Sequence, residues 1–401
     1  MIVEANEVLS QCVILIILIR RASYSIIVLI RKQAYNFVGY IFSQRFKREK
    51  LQNLNRISRY VENDPLNINS ACNLTKKEIS LIKSTFGRES REYEPWLRFY
   101  KTATGIFNPE FIPCWQYAYM ELSLNKRRYE GFVQHKCNLR YFIGEENRPT
   151  TILYAMDGVL YDRTDKIITP SMAIKKLGDY DEMVFKVASN TGGGKDVKKI
   201  TMTEKSDVDF IASKINKIDQ DFIVQEIIKQ DSTLAALNDG GGCNTLRVLT
   251  ININNKCSVL SMFLKIGAKG SFTDNVCGGG MLCGVDILGN VKEVGYTHDY
   301  TRTYTTPAGL PLGGLKISHI DEVVRFVTEA HKSFQQMHLI GWDIAISQDG
   351  RPVVIEINLD SAEILAHQIP NGPVLGSRYD EVMEYLSQNT PTKFIKIKLK
   401  Q

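Results

Sequence analysis

The chain has 401 residues, 44% apolar and 23% charged. This is an ordinary globular composition, but too long for one core, so it points to two or three lobes. The formal charge of +6 is uneven: residues 1–60 hold ten Lys or Arg against three Glu, an excess of seven, which leaves about −1 for the rest. That balance argues against a nucleic-acid-binding body. The eight cysteines include no Cys-x-x-Cys pair, which argues against a zinc knuckle or a disulfide framework and suits free thiols in a reducing cytoplasm.

Residues 8–60 read as helical, with basic residues set between apolar ones. Val13–Ile19 is an unbroken apolar run, Arg20 and Arg21 interrupt it, and Ile26–Ile30 resumes it. A spanning helix needs about 20 mostly apolar residues, and an arginine pair at its centre is costly. A signal peptide would need its basic residues ahead of the apolar core and a small-residue cleavage site behind it. Two readings stay open for residues 8–35. One is a basic, apolar helix lying on the anionic inner face of a membrane. The other is a docking helix whose arginines snorkel outward. Asn63-Asp64-Pro65 breaks the pattern. Thr75-Lys76-Lys77-Glu78 resembles a capping box that opens another helix, and residues 95–130 are aromatic-rich and mixed.

From about Pro149 the texture turns to short β-rich segments with glycine turns. Thr151–Ala155, Met183–Val187 and Phe222–Val224 read as strands, and Ser206–Ile218 as a helix. Met183–Val187 carries one lysine, Lys186, and runs into Asn190-Thr191-Gly192-Gly193-Gly194-Lys195. Three glycines let backbone N–H groups turn toward an anion, and Lys195 adds charge. The spacing is neither that of a P-loop nor that of the dinucleotide fingerprint. A flexible turn is the plain alternative; the strand lysine just before it favours a phosphate cradle. Phe222–Val224 leads into Gln225 and Glu226, which suits an adenine pocket, with an exposed strand end as the plain alternative.

Thr245–Ile253 and Ser258–Ile266 form a hairpin around Asn254-Asn255-Lys256. Arg247 stands there among Leu246, Val248 and Leu249, after Gly240-Gly241-Gly242. A planar guanidinium in that place can clamp a phosphoryl group or close a cross-strand ion pair. Phe272–Gly280 adds a third glycine cluster, where Asp274 and Asn275 either touch substrate or form a plain loop. Ile320–Met337 reads as one amphipathic helix whose stripe is Val323, Val324, Val327, Phe334 and Met337.

Gly341–Asn358 is the most informative stretch: two apolar runs around Asp349-Gly350, the strongest short hairpin signal. With those two residues as the turn, paired positions sum to 699, so Asp343 lies opposite Glu356, and Asn358 shares the Glu356 face. Opposed carboxylates repel, so removing one would relieve the sheet unless a cation sits between them. Oxygen ligands without His or Cys suit Mg²⁺. A solvated hairpin face is the alternative, and the apolar strands count against it.

This order of parts resembles the ATP-grasp superfamily. Asn244-Thr245-Leu246-Arg247, Thr273-Asp274-Asn275, Gly341-Trp342-Asp343 and Glu356-Ile357-Asn358 look most like its sugar-transfer-associated family, over roughly residues 130–385. The resemblance implies an α+β ATP-grasp fold, two α/β lobes closing on ATP, behind a helical N-terminal extension. Its boundaries would be a basic segment at 1–60, a helical or mixed region at 61–148, and an ATP-grasp domain at 149–401, with a small lobe at about 149–228 and a large lobe at about 229–390. It implies ATP and Mg²⁺ as cofactors, two ions, with Mn²⁺ as a substitute. By position, Lys186 and Lys136 would bind phosphates, although the acid expected before Lys136 is missing. Gly192, Gly193, Gly194 and Lys195 would cover the phosphates, Gln225 and Glu226 would sit at the adenine hinge, and Asp231 near the ribose. Asp343, Glu356 and Asn358 match the metal ligands, Arg247 the residue stabilising the transferring group, and Asp274 and Asn275 substrate contacts.

The implied reaction is phosphoryl transfer from ATP to a carboxylate, followed by attack of an amine on the acyl phosphate. The family name suggests polysaccharide synthesis, with a sugar acid and an amino acid as small-molecule partners and no nucleic acid. Two alternatives remain: an ATP-grasp kinase acting on a sugar or alcohol, and a non-catalytic nucleotide-binding assembly protein. The expected location is cytoplasmic, peripheral on the inner membrane face.

Overall fold

In a computed structural model of the chain, the structure describes residues 73–125, 129–189, 196–239, 242–359 and 363–389. The expectations for residues 1–60, including the membrane-facing segment 8–35, lie outside them, as does the loop Gly192–Lys195. Among the described residues no helix is long and apolar enough to cross a membrane, and Cys114, Cys137, Cys243, Cys257, Cys277 and Cys283 are free thiols.

The described chain opens with helices α1 (Lys76–Phe86), α2 (Ser90–Thr104) and α3 (Cys114–Leu124). Helix α1 starts where the capping box placed it: the Thr75 hydroxyl accepts from the Glu78 N–H, and the Glu78 carboxylate accepts from the Thr75 N–H. These two reciprocal bonds satisfy N–H groups that a helix start leaves unpaired. A short helix α4 (Glu130–Val133) and a 3-10 segment (Lys136–Tyr141) follow.

The first sheet is antiparallel throughout. Its strands are β1 (Thr151–Met156), β2 (Val159–Asp162), β3 (Glu182–Val187), β4 (Val197–Thr201) and β5 (Phe222–Gln225), in the order β2-β1-β5-β3-β4. Helices α5 (Pro170–Leu177) and α6 (Lys205–Asn216) cover it, and Phe185, Phe222, Ile211 and Leu177 share its core. The short α7 (Ser232–Ala235) leads to the second sheet.

That sheet runs β10-β9-β8-β7-β6-β11-β12, again antiparallel. Its strands are β6 (Thr245–Ile253), β7 (Lys256–Ile266), β8 (Met281–Val285), β9 (Val291–Thr297), β10 (Arg302–Thr303), β11 (Leu339–Ile346) and β12 (Pro352–Asn358). Helix α8 (Ile320–His331) packs on one face with Val248, Trp342 and Ile344. Helices α3, α9 (Ile364–Asn371) and α10 (Tyr379–Asn389) hold the other face through Leu249, Ile251 and Leu339. β11 is therefore buried at every position, and a charge placed on it is a buried charge.

Three expectations shift. The β6–β7 turn is the pair Asn254-Asn255, both at positive φ (53° and 60°), as a two-residue hairpin turn demands. Lys256 already belongs to β7. Helix α8 ends at His331 rather than running to Met337. The His331 ring is hydrogen-bonded to the Thr250 hydroxyl at 2.7 Å and to the Met337 carbonyl at 2.8 Å, so the chain folds back as a turn. Phe334 and Met337 still reach the core.

The third concerns the 341–358 hairpin. Ser347 N–H donates to the Arg351 carbonyl and Gly350 N–H to the Ser347 carbonyl. The loop therefore has three residues, with Gly350 at φ 84°, a left-handed position suited to glycine. Nearest the turn, pairs sum to 698, as in Ile346 with Pro352. A bulge then restores 699, and Asp343 lies opposite Glu356. The expected pairing holds because these two displacements cancel.

Candidate active site

One line of cross-strand partners defines the chemistry of the second sheet: Glu356 opposite Asp343, Asp343 opposite Arg247, and Arg247 opposite Phe263. All four share the face that α3 and α9 cover only in part. Thr245 and Lys265 form the next row of that face. Asp343 and Arg247 are each 5% exposed. Arg247 Nε donates to Asp343 Oδ1 at 2.5 Å and Nη2 to Oδ2 at 3.2 Å, a bidentate fork that fixes the guanidinium plane. Lys265 Nζ donates to the same Oδ2 at 3.1 Å and lies 3.3 Å from Asp274. The Thr245 hydroxyl donates to Asp274.

Two lysines come to this row from the first half of the described chain. Lys136 is fixed at its backbone, where its N–H meets the Ala188 carbonyl just after β3, and its Nζ donates to Glu356 Oε1 at 3.1 Å. Lys186 of β3 is 9% exposed and within electrostatic reach of Lys136, Glu356 and Asp274. Burial, and next the Lys136 charge, push its pKa down to about 8. Burial pushes the Asp343 carboxyl up, but Arg247 and Lys265 outweigh it and hold the group at about 2. The opposed carboxylates are thus already compensated by protein cations: two on Asp343 and one on Glu356.

Lys136, Lys186, Arg247, Asp274, Asp343, Glu356 and Asn358 are brought toward one place. Others are held by contacts of their own. Gln225 is buried at the end of β5, and the Glu226 N–H donates to the Thr150 carbonyl. The Asp231 carboxylate caps α7 through the Thr233 and Leu234 N–H groups. The Asn275 side chain accepts from the Cys277 N–H at the start of a 3-10 turn. Lys265 escaped the sequence reading, although it carries a signal like that of Lys186: a lysine set in the apolar end of a strand, between Leu264 and Ile266. The glycines beside Asp274 have a packing reason. A Cβ at Gly242 would meet the Phe272 carbonyl, and one at Gly280 the Ile266 carbonyl, so both let the Asp274 loop lie tight against the sheet.

A hard divalent cation takes oxygen donors. Glu356 and Asn358 on β12 carry side-chain oxygens of the kind such an ion takes, and alternate positions put them on one face of the strand. Asp343 already accepts from Arg247 and Lys265, so a metal there would compete with those two cations. Among the described residues no group of three or more His, Cys, Asp or Glu side chains converges as a metal site.

A profile of the sugar-transfer associated ATP-grasp family matches residues 159–384, more than half of the chain. No curated protein matches. Among solved structures, D-alanyl-alanine synthetase A from Vibrio cholerae is 14% identical, over 65% of this chain and 61% of its own, with a TM-score of 0.34. L-amino acid ligase from Bacillus licheniformis is 14% identical, over 60% and 43%, with a TM-score of 0.34. D-alanine-D-alanine ligase from Coxiella burnetii is 10% identical, over 64% and 58%, with a TM-score of 0.36. This chain spans about half the length of the solved structures it matches, 45%, 61% and 43% for three of them.

Proposed function

This chain belongs to the sugar-transfer associated ATP-grasp family, and we propose on that premise that it is an ATP-dependent ligase joining a carboxylate to an amine. The observation that carries the reading is the cross-strand line of half-buried Glu356 with buried Asp343 and Arg247, flanked by Lys265, to which Lys136 and Lys186 bring positive charge. Such a concentration of fixed cations suits a polyanion, here the ATP phosphates.

In this reading Lys186 and Lys136 hold the phosphates and Gly192–Lys195 covers them, while Gln225 and Glu226 at the end of β5 take the adenine and Asp231 the ribose. A substrate carboxylate oxygen attacks the γ-phosphorus, the bond to ADP breaks, and an acyl phosphate forms. Arg247, its plane set by Asp343, stabilises the charge on the group in transfer. The amine then attacks the acyl carbon, an amide C–N bond forms, phosphate leaves, and the amine gives up a proton. Glu356 and Asn358, together with Asp343, would hold Mg²⁺, which would supply neutralisation of phosphate charge. Positioning carries most of the rate, so no side-chain nucleophile is required.

By analogy with the sugar-transfer setting in the family description, the substrates we propose are a sugar acid and an amino acid in polysaccharide synthesis, and the basic segment 8–35 suits a peripheral contact with the inner membrane face. The test is calorimetry of ATP with Mg²⁺, followed by a screen of paired sugar acids and amino acids for ADP release. ADP release that needs both an acid and an amine is expected. Absence of ATP binding, or release that needs neither, would overturn the reading.

A further inference from the structure

Helices α3 and α9 cover the sheet face that carries Arg247, and two of their side chains have no place in the reaction outlined above. The Tyr117 hydroxyl of α3 and both ring nitrogens of His367 of α9 are buried without a hydrogen-bond partner among the described residues. His367 is 0% exposed and Tyr117 4%. The His367 ring meets the Phe263 ring edge-on at 4.7 Å, and Phe263 is the cross-strand partner of Arg247. Just ahead of α3, the Ile112 N–H donates to the side chain of Gln368, the residue after His367, and the Ile112 carbonyl accepts from it. Tyr117, one turn into α3, therefore lies close to the same junction. The Arg247 charge acts on both side chains. On the same sheet face, the Asn358 amide nitrogen is a further buried atom without a partner among the described residues.

Leaving buried polar groups unpaired costs stability, and most proteins pair nearly all of them. Several such atoms close to one functional arginine call for a ligand. Its chemistry follows from their ionisation. Burial pushes the Tyr117 hydroxyl up and the His367 ring down, so both are neutral at physiological pH. A phenol and a neutral imidazole each donate one hydrogen bond and accept one. Hydroxyl groups answer both halves of that set. A carboxylate or phosphate only accepts, and would leave the accepting atoms unpaired.

We propose that Tyr117 and His367 form a subsite for the hydroxyl-bearing part of the substrate, a sugar ring, beside the Arg247 that acts on its reacting group. The proposal rests on the ligase reading and adds to it the residues that would recognise the sugar.

The test uses the full chain with Mg²⁺ and a non-hydrolysable ATP analogue, and compares two probes by calorimetry: glucuronate, and hexanoate as a six-carbon acid without hydroxyls. The wild type is expected to bind glucuronate more tightly. Tyr117→Phe should weaken glucuronate by about five- to tenfold, the worth of one ordinary hydrogen bond, and leave hexanoate and nucleotide affinity unchanged. It should also leave Tm unchanged or raise it, because it removes a hydroxyl that has no partner in the protein. His367→Leu should act in the same direction, and Tyr117→Phe carries the test if that variant does not fold. Equal glucuronate affinity in Tyr117→Phe and wild type, or no preference for glucuronate over hexanoate with nucleotide binding intact, overturns the subsite. Failure of the wild type to bind the nucleotide overturns the ligase reading, and the subsite with it.

Discussion

Asp343→Asn is the most demanding perturbation of the buried charge row. Two opposed carboxylates alone predict that removing either one stabilises the sheet. With their partners in place the sign reverses. Asp343 and Arg247 each have side chains only 6% exposed, and Lys265 shares the same carboxylate. Removing one member of a buried pair is strongly destabilising, at a cost of about 3–5 kcal/mol; here the lost carboxylate serves both Arg247 and Lys265, although Lys265 keeps Asp274 at 3.3 Å. Glu356 differs, because its side chain is 28% exposed and, among the described residues, its ion pair is with Lys136. Glu356→Gln keeps an acceptor for Lys136 and should cost about 1 kcal/mol, near the upper end for exposed pairs.

Urea unfolding at pH 7 measures both variants. The difference should also depend on pH. Asp343 is held at about 2, below its ordinary 3.8. A depressed carboxylate stabilises the fold above its unfolded pKa, and that contribution is lost as pH falls through the folded value. The Asp343→Asn deficit should therefore be full above about pH 4 and shrink between about 3.8 and 2. A loss under about 1 kcal/mol for Asp343→Asn, or equal losses for the two variants, would refute the assignment of Arg247 and Lys265 to Asp343.

Three further outcomes follow from the same geometry. Lys186, at about 8, is half protonated at pH 8, so ATP binding there should take up protons and its measured heat should vary with the buffer's ionisation heat. Lys186→Met should lose that variation, and its persistence would remove Lys186 from the phosphate site. Arg247→Lys keeps the charge but loses the fork, so it should lower kcat by about a hundredfold, as loss of a transition-state donor does, with ATP affinity little changed. An equal fall in both would make Arg247 a ground-state contact. Deleting residues 1–35 should abolish co-sedimentation with anionic vesicles and leave ADP release intact; loss of folding would favour a docking role for the segment.

Local chemistry made much of the fold legible. The Thr75–Glu78 capping box, the single lysine of β3 and the Asp-Gly turn of the 341–358 hairpin are short-range signals, and each element stands where those residues imply. The hairpin also shows how far such signals reach: Asp343 meets Glu356 only because the extra loop residue and the bulge offset each other. What is missing from the sequence reading is long-range. Arg247 and Asp343 are nearly a hundred residues apart, and nothing local states that β6 and β11 are neighbours. Nothing local to Lys265 states that Asp343 and Asp274 lie beside it. The glycines near Asp274 resemble a flexible loop in sequence, whereas Gly242 and Gly280 are where backbone carbonyls crowd in. Helix α8 ends early because His331 bonds to a carbonyl six residues on, a tertiary choice that its apolar stripe does not encode.

The central claim is that Arg247 and its charged row serve an acyl-phosphate intermediate. Hydroxylamine tests it directly. With ATP, Mg²⁺ and a carboxylate substrate that supports ADP release, hydroxylamine should replace the amine and trap the acyl phosphate as a hydroxamate, in step with phosphate release. A stable phosphorylated alcohol with no hydroxamate would contradict the ligase account and establish a kinase in its place.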